Sequence, residues 1–286
     1  MIPSAFDYER AESVEHAIQL LQESGGEAKL LAGGHSLLPL MKLRLSSPAK
    51  LVDIGRIQEL RGISRAGDRI VVGALTTHAA VAHDATIGET LPVLAEAASL
   101  IGDLQVRNRG TVGGNLAHAD MASDLPAVAL ALDAQFTAQT SAGTQTISVE
   151  DFFLGPMTTA MPENGILTAV SFAVPPSGAK SVYEKYPHPA SGYAVVGVAA
   201  VVGLDSEGRV NYVRIGVTGA ADVPYRAYAV EEQMMGQPFT AELAASAAKH
   251  AADDGSISED LFASEDYRRH LCSVMAERAL TRLLEA

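Results

Sequence analysis

Cysteine is almost absent from this chain of 286 residues: Cys272 stands alone. A single cysteine excludes an intrachain disulfide, and it excludes a four-cysteine cluster or zinc site built by this chain by itself. Tryptophan is missing, and Lys and Arg number 21 against 34 Asp and Glu, for a formal net charge of −13. An acidic chain without a basic stripe is a poor partner for nucleic acid. No apolar run approaches the ~20 residues that a membrane-spanning helix requires. The leading "MIPSAFDYERAES" has no apolar segment of the secretory kind. A cytoplasmic, reduced setting is therefore expected. Two nucleotide signatures are also missing, G-x-G-x-x-G after a strand and G-x-x-x-x-G-K-[ST], which disfavours a Rossmann domain and a P-loop ATPase.

What is present is enough apolar sequence, 48% of residues, for a sizeable core in two domains or in one large domain with an appendage. Ser13 reads as a helix cap, followed by Val14, Ala17, Ile18 and Leu21 at helical spacing and stopped by Gly25-Gly26. "AKLLA", "KLVDI" and "DRIVVGAL" read as strands, and residues 86–101 as one helix. The glycine-rich middle of 102–124 reads as irregular, with Asp124 capping the helix that follows and Pro126 in its first turn. A hairpin is expected around Gly143, and a strand in "GILTAVSFAVP" ended by Pro175-Pro176. Alternation at Met41 and Leu43 suggests a half-buried strand or turn. Beyond the prolines come strands in "KSVYEKY" and in 193–220, then helices, with Tyr267, Leu271, Val274, Met275 and Leu283 on one face of the last. Cys272 on that helix reads as core.

Two stretches carry the chemistry. "LLAGGHSLLPL", residues 30–40, places Ala32, Gly33, Gly34, His35 and Ser36 between apolar runs. Backbone amides bind phosphate oxygens where the chain turns sharply and approaches closely, and glycine allows both. On its own this stretch is better explained by a plain turn between strand and helix, since a lone Gly-Gly is common. A second stretch, "GTVGGN" at 110–115, has the same character. Thr111 and Asn115 extend the polar cradle begun by Gly33, Gly34 and Ser36, and one anion held from both sides accounts for the pair. Asp124 can accept hydrogen bonds from sugar or ribityl hydroxyls, or cap its helix. Lys42, Arg44, Arg107 and Arg109 are available to steer phosphate or a partner, or to face solvent.

"LLAGGHSLLPLMKLRLSSPAKLVDI" and "QVRNRGTVGGNLAHADMASDLPAVALALDA" together resemble the FAD-binding medium subunit of molybdenum hydroxylases. Carbon monoxide dehydrogenase medium chains are the nearest type, and the flavin domain of xanthine dehydrogenase is similar. The resemblance spans essentially the whole chain. It implies an α+β fold: a vanillyl-alcohol-oxidase (PCMH-type) FAD-binding domain over 1–176, in subdomains of about 1–58 and 59–176. A C-terminal α+β domain over 177–286 follows, a three- to four-stranded sheet with helices. It implies that Ala32, Gly33, Gly34, His35, Ser36 and Leu37 line one diphosphate loop, and Gly110, Thr111, Gly114, Asn115 and His118 the other. Ser123 and Asp124 match contacts to the hydroxylated flavin chain, and Ile166 and Leu167 match apolar neighbours of the dinucleotide. Tyr193 matches an aromatic beside the isoalloxazine, and Lys185 a nearby lysine. One departure stands out: relatives read Y-x-K-x-x-R-x-x-G-D-[YW]-A where this chain reads "YEKYPHPASGYA", with His188 for the arginine and Gly192 for the aspartate.

By the resemblance, the chain holds FAD, while molybdopterin and [2Fe-2S] clusters sit on a large and a small partner subunit, as a dimer of heterotrimers. No catalytic residue and no metal ligand is expected on this chain. Two rival functions are a self-sufficient FAD-dependent oxidoreductase acting directly on a small substrate and a scaffold that lost its cofactor. No acid/base pair beside the glycine stretches supports the first, and the intact glycines oppose the second.

Overall fold

Residues 2–285 are described by a computed structural model. Met1 and Ala286, the outer ends of the two expected domains, lie outside the described residues. Ser13 is the cap foreseen: its hydroxyl accepts from the His16 amide at 3.1 Å and starts the helix Val14–Glu23. That helix buries Val14, Ala17, Ile18 and Leu21 beside Val52 and Leu60. It covers a parallel sheet of three strands, with Lys50–Asp53 between Asp7–Arg10 and Ala28–Leu31. Because the three strands run parallel, their C-terminal residues Arg10, Leu31 and Asp53 lie together at one edge.

A five-stranded antiparallel sheet follows, in the order Ile63–Ala66, Arg69–Gly73, Ile166–Ala173, Gln135–Thr140 and Gly143–Ser148. The last two form the hairpin expected around Gly143. Here the structure differs from the sequence reading in three places. The single helix over 86–101 is two, Ala85–Thr90 and Pro92–Ser99, because the residue before a proline is pushed out of helical geometry, and Leu91 sits at φ −135°. The irregular stretch is two short helices, Leu104–Arg109 and Val112–His118, each started by a side chain, Asp103 and Thr111. Met41 is not in a strand or turn but buried in the helix Leu37–Lys42, whereas Leu43 is the exposed residue that ends that helix, in the turn that follows.

The C-terminal part is an antiparallel sheet of four strands, Lys180–Pro187, Ala194–Leu204, Val210–Thr218 and Tyr225–Arg226. Ala194–Leu204 shows no alternation because both of its faces are covered. Ala199 and Val201 join the core of the helix Leu125–Ala131, while Val196, Val198 and Ala200 join Leu271, Met275 and Leu280 of the helix Glu265–Glu285. Each valine, leucine or methionine among them taken out of water contributes about 1.5–3 kcal/mol. On that last helix Tyr267 is exposed rather than in the apolar face, and Arg268 is buried in its place. Its guanidinium replaces water with protein oxygens: the carbonyls of Val195 and Gly219 and the carboxylate of Asp260. Cys272 is buried in the same core, where burial pushes its thiol up to about 11.

Candidate functional site

The strand Ala28–Leu31 ends at the open edge of the parallel sheet, and the chain turns at Gly33-Gly34 into the helix Leu37–Lys42. Gly34 has φ +77°, a conformation that side chains with a Cβ adopt at a cost. Gly33 is needed for a different reason. A Cβ on it would overlap the carbonyl of Arg109 and stand 3.0 Å from the Cα of Gly110. The two glycine stretches are thus in contact. Among the described residues, none accepts a hydrogen bond from the backbone N–H of Gly33, Gly34, His35 or Ser36. The Ser36 hydroxyl makes no capping bond. His35 is exposed, with Nδ1 3.1 Å from the carbonyl oxygen of Gly33. Four amides and a hydroxyl in one bend are equipped to donate to an anion.

The second stretch is built differently. Thr111 caps the helix Val112–His118 by accepting from the Gly114 amide at 3.2 Å. The amides of Val112, Gly113 and Asn115 donate to the carbonyls of Thr76, Ala74 and Thr111, each at 2.9 Å. Gly114 faces the first bend: a Cβ there would stand 3.8 Å from the Cβ of Ala32. Gly110 rests on the ring of His78, to which an added Cβ would approach within 2.8 Å. His78 is a residue that the sequence did not flag. Its Nδ1 is buried without a partner among the described residues, and burial, with the nearby His35, pushes it down to about 4. It is therefore neutral near pH 7.

Beside the first bend lies a cavity of about 280 Å³, with Arg10, Ala32, Gly33, Asp53, Arg56 and Arg109 in its lining. Asp53 accepts from the Tyr8 hydroxyl at 2.5 Å and from the Gly55 amide at 2.7 Å, which fixes the loop that carries Arg56. Of the four basic residues singled out in the sequence, only Arg109 lines this cavity. Arg107 donates to the carbonyls of Ile101 and Gly102 at 3.1 and 3.0 Å, so its charge is engaged locally. Lys42 and Arg44 are exposed at the end of the helix Leu37–Lys42.

The helix Val112–His118 leads from the bends to a second group of residues. Asn115 Oδ1 accepts from the Ser123 hydroxyl at 2.7 Å. Asp124 follows, but its side chain does not cap the helix Leu125–Ala131. It turns instead to the C-terminal sheet, where Lys185 Nζ lies 2.9 Å from Oδ1 and the Tyr183 hydroxyl donates to Oδ1 at 2.7 Å. Burial raises the Asp124 carboxyl, and Lys185 and Tyr183 oppose that rise. Tyr193 is 44% exposed, and the next amide, Ala194, donates to Ala122 at 3.1 Å, which places its backbone beside Ser123. His118, the last residue of its helix, is half-buried. The departing His188 closes its own loop: its amide donates to the Tyr193 carbonyl at 2.7 Å, and its ring packs 4.2 Å from that of Phe262.

The two expected apolar neighbours of the dinucleotide, Ile166 and Leu167, have largely buried side chains. Ile166 is 1% exposed within the core around Val52 and Leu75, and Leu167 is 6% exposed within the core of the larger sheet. Both side chains pack against protein layers, Ile166 in one core and Leu167 in the other. Tyr183, conversely, was missed, although period-two alternation puts it on the same face of its strand as Lys185.

A strand–bend–helix with free amides, backed by a capped glycine helix in an α+β scaffold, suits a protein that holds a phosphate-bearing cofactor. The family described as the FAD binding domain in molybdopterin dehydrogenase matches residues 4–175, and the CO dehydrogenase flavoprotein C-terminal domain matches residues 181–283. The chain is 40% identical over 280 residues to the carbon monoxide dehydrogenase medium chain of Hydrogenophaga pseudoflava, covering 98% of this chain and 97% of that one. It is 37% identical over 284 residues to the 6-hydroxypseudooxynicotine dehydrogenase complex subunit alpha of Paenarthrobacter nicotinovorans, covering 99% and 96%. A solved carbon monoxide dehydrogenase from Hydrogenophaga pseudoflava superposes with a TM-score of 0.95 at 40% identity, over 100% of this chain and 99% of that chain. The chain belongs to the FAD-binding medium subunits of molybdenum hydroxylases. It is an oxidoreductase subunit whose own cofactor is FAD. No helix among the described residues is long and apolar enough to cross a membrane.

Proposed function

We propose that this chain is the electron-transferring subunit of a heteromeric molybdenum hydroxylase, carrying electrons from [2Fe-2S] clusters on a partner subunit to an external acceptor. The observation that carries the reading is the junction of the two glycine stretches, where unpaired amides meet a junction that a Cβ at Gly33 would obstruct. The residues present fit a dinucleotide. Gly33, Gly34, His35 and Ser36 donate to its diphosphate, Ala32 and Leu37 flank that bend, and Gly110, Thr111 and Gly114 support it from behind. Asn115, Ser123 and Asp124 serve the ribityl hydroxyls, with His118 at the edge of that surface. Lys185 and Tyr193 stand at the ring. FAD supplies a redox group that exchanges electrons singly or in pairs, and the protein supplies position and electrostatics.

The single buried Cys272 leaves this chain unable to build a four-cysteine cluster, so the clusters belong to a partner. We assign the complex a large molybdopterin subunit and a small iron–sulfur subunit, arranged as a dimer of heterotrimers in the cytoplasm. The domains proposed are 1–176 and 177–286. Substrate choice lies with the large subunit, and relatives named for carbon monoxide and for 6-hydroxypseudooxynicotine support a shared flavin part behind different chemistries.

The test separates this subunit from a self-sufficient oxidoreductase. The FAD-loaded chain, purified alone, is offered carbon monoxide, N-heterocycles, aldehydes and purines with an artificial dye acceptor. Dye reduction is expected only after the two partner subunits are added back. Turnover of any of these substrates by the chain alone would overturn the proposal.

A further inference from the structure

Tyr183 is fully buried, yet it ends in a polar group. The strand Lys180–Pro187 places it two residues before Lys185, so both side chains project from one face toward Asp124. Its hydroxyl donates to Asp124 Oδ1 at 2.7 Å, and Lys185 Nζ reaches Oδ2 at 3.0 Å and the Leu100 carbonyl at 3.2 Å. The backbone of Tyr183 is fixed from two sides. Its amide donates to Glu96 at 2.8 Å, and Arg282 donates to its carbonyl at 3.2 Å. Room for the hydroxyl comes from the adjacent strand, where a Cβ on Gly197 would overlap it. A side chain held this closely controls the direction of the Asp124 carboxylate, which points away from the helix it precedes.

We propose that Tyr183 is a positioning residue for the ring end of the flavin site, holding the Asp124 carboxylate against Lys185 so that the charge presented to the redox group stays fixed. The inference rests on the proposed placement of Asp124 and Lys185 at the flavin. The physical argument is a balance around one buried carboxyl. Burial favours its protonated form, while two side-chain donors, the Lys185 ammonium and the Tyr183 hydroxyl, favour the ionised one. The other titratable or charged groups around this cluster are Tyr193, Asp120 near it, and, on the backbone side of Tyr183, the Glu96–Arg282–Glu184 group. With the hydroxyl removed, the carboxyl takes a proton more easily, and the ammonium is then left uncompensated. Extra positive charge favours the more electron-rich state of a neighbouring redox group.

The test compares wild type, Tyr183→Phe, Lys185→Met and Asp124→Asn as FAD-loaded full chains. The readouts are the two-electron midpoint potential of bound FAD by spectroelectrochemical titration between about pH 6 and 9, FAD stoichiometry and the thermal midpoint. Tyr183→Phe is expected to keep one FAD per chain. It should raise the potential at the acid end by about tenfold in the oxidised-to-reduced affinity ratio, about 30 mV for a two-electron couple, and rejoin wild type at the alkaline end. Lys185→Met should lower the potential. If Tyr183→Phe leaves the potential and its pH profile unmoved while Lys185→Met shifts it, the Tyr183 inference alone is overturned. If all three variants leave it unmoved, the placement of the pair at the flavin falls, and the inference falls with it. Should Tyr183→Phe not fold, 3-fluorotyrosine at position 183 reads the same coupling, because it strengthens the donor and should shift the acid-end potential the opposite way. An unshifted potential there overturns the inference as well.

Discussion

The bend at 33–36 leaves four amides without acceptors among the described residues, whereas the stretch at 112–115 has all of its own engaged with Thr76, Ala74 and Thr111. Both contain adjacent glycines between small and polar residues. In the first, glycine frees the backbone to meet something outside the protein. In the second, it lets a helix start press against the Arg69–Gly73 strand end, where a Cβ on Gly113 would overlap Ala74. One stretch supplies donors, and the other fixes where those donors point. Similar composition therefore served two functions, and only the destination of each N–H separates them.

That division can be broken at Gly33, the point where the stretches touch. Gly33→Val should separate them and lower FAD affinity more than about 100-fold, with overpacking costing about 1–3 kcal/mol of stability. Fluorescence titration with FAD beside urea unfolding measures both, and FAD binding at wild-type strength would refute the close-approach argument. His78 sharpens the supporting side. The unfolded chain takes a proton at about its ordinary 6.5, whereas the folded imidazole waits until about 4. Its contribution is thus complete above the higher value and disappears as pH falls toward the lower, a loss of up to about 3 kcal/mol. Urea midpoints of the apo chain at pH 7, 5 and 4 should converge between wild type and His78→Asn as the pH drops; parallel curves would exclude this. The smallest effect is expected at Ser36→Ala. Its hydroxyl makes no capping bond, so the thermal midpoint should not move. FAD affinity should fall about fivefold to tenfold, for the loss of about one hydrogen bond. A lowered midpoint with unchanged affinity would assign Ser36 to the scaffold instead.

Much of this arrangement was legible beforehand. Ser13 and the spacing of Val14, Ala17, Ile18 and Leu21 specify the first helix, and Gly143 marks the hairpin, because caps and turns act over a few residues. The strand reading at "GILTAVSFAVP" was equally local. Asp124 was harder to place. A helix-capping role is a local inference, and the competing donors, Tyr183 and Lys185, lie 59 and 61 residues away. Tertiary partners outcompeted the local one. Arg268 broke the apolar stripe of its helix because it found carbonyls that no helical pattern records.

Arg282 forms ion pairs at 2.8 Å with Glu96 and at 2.6 Å with Glu184, and the first of these spans 186 residues of sequence. During synthesis, Glu96 leaves the ribosome long before its partner does. The seam between the flavin-binding part and the C-terminal sheet can therefore form its Asp124–Lys185 contact before this second clamp, which a nascent chain interrupted before residue 282 lacks.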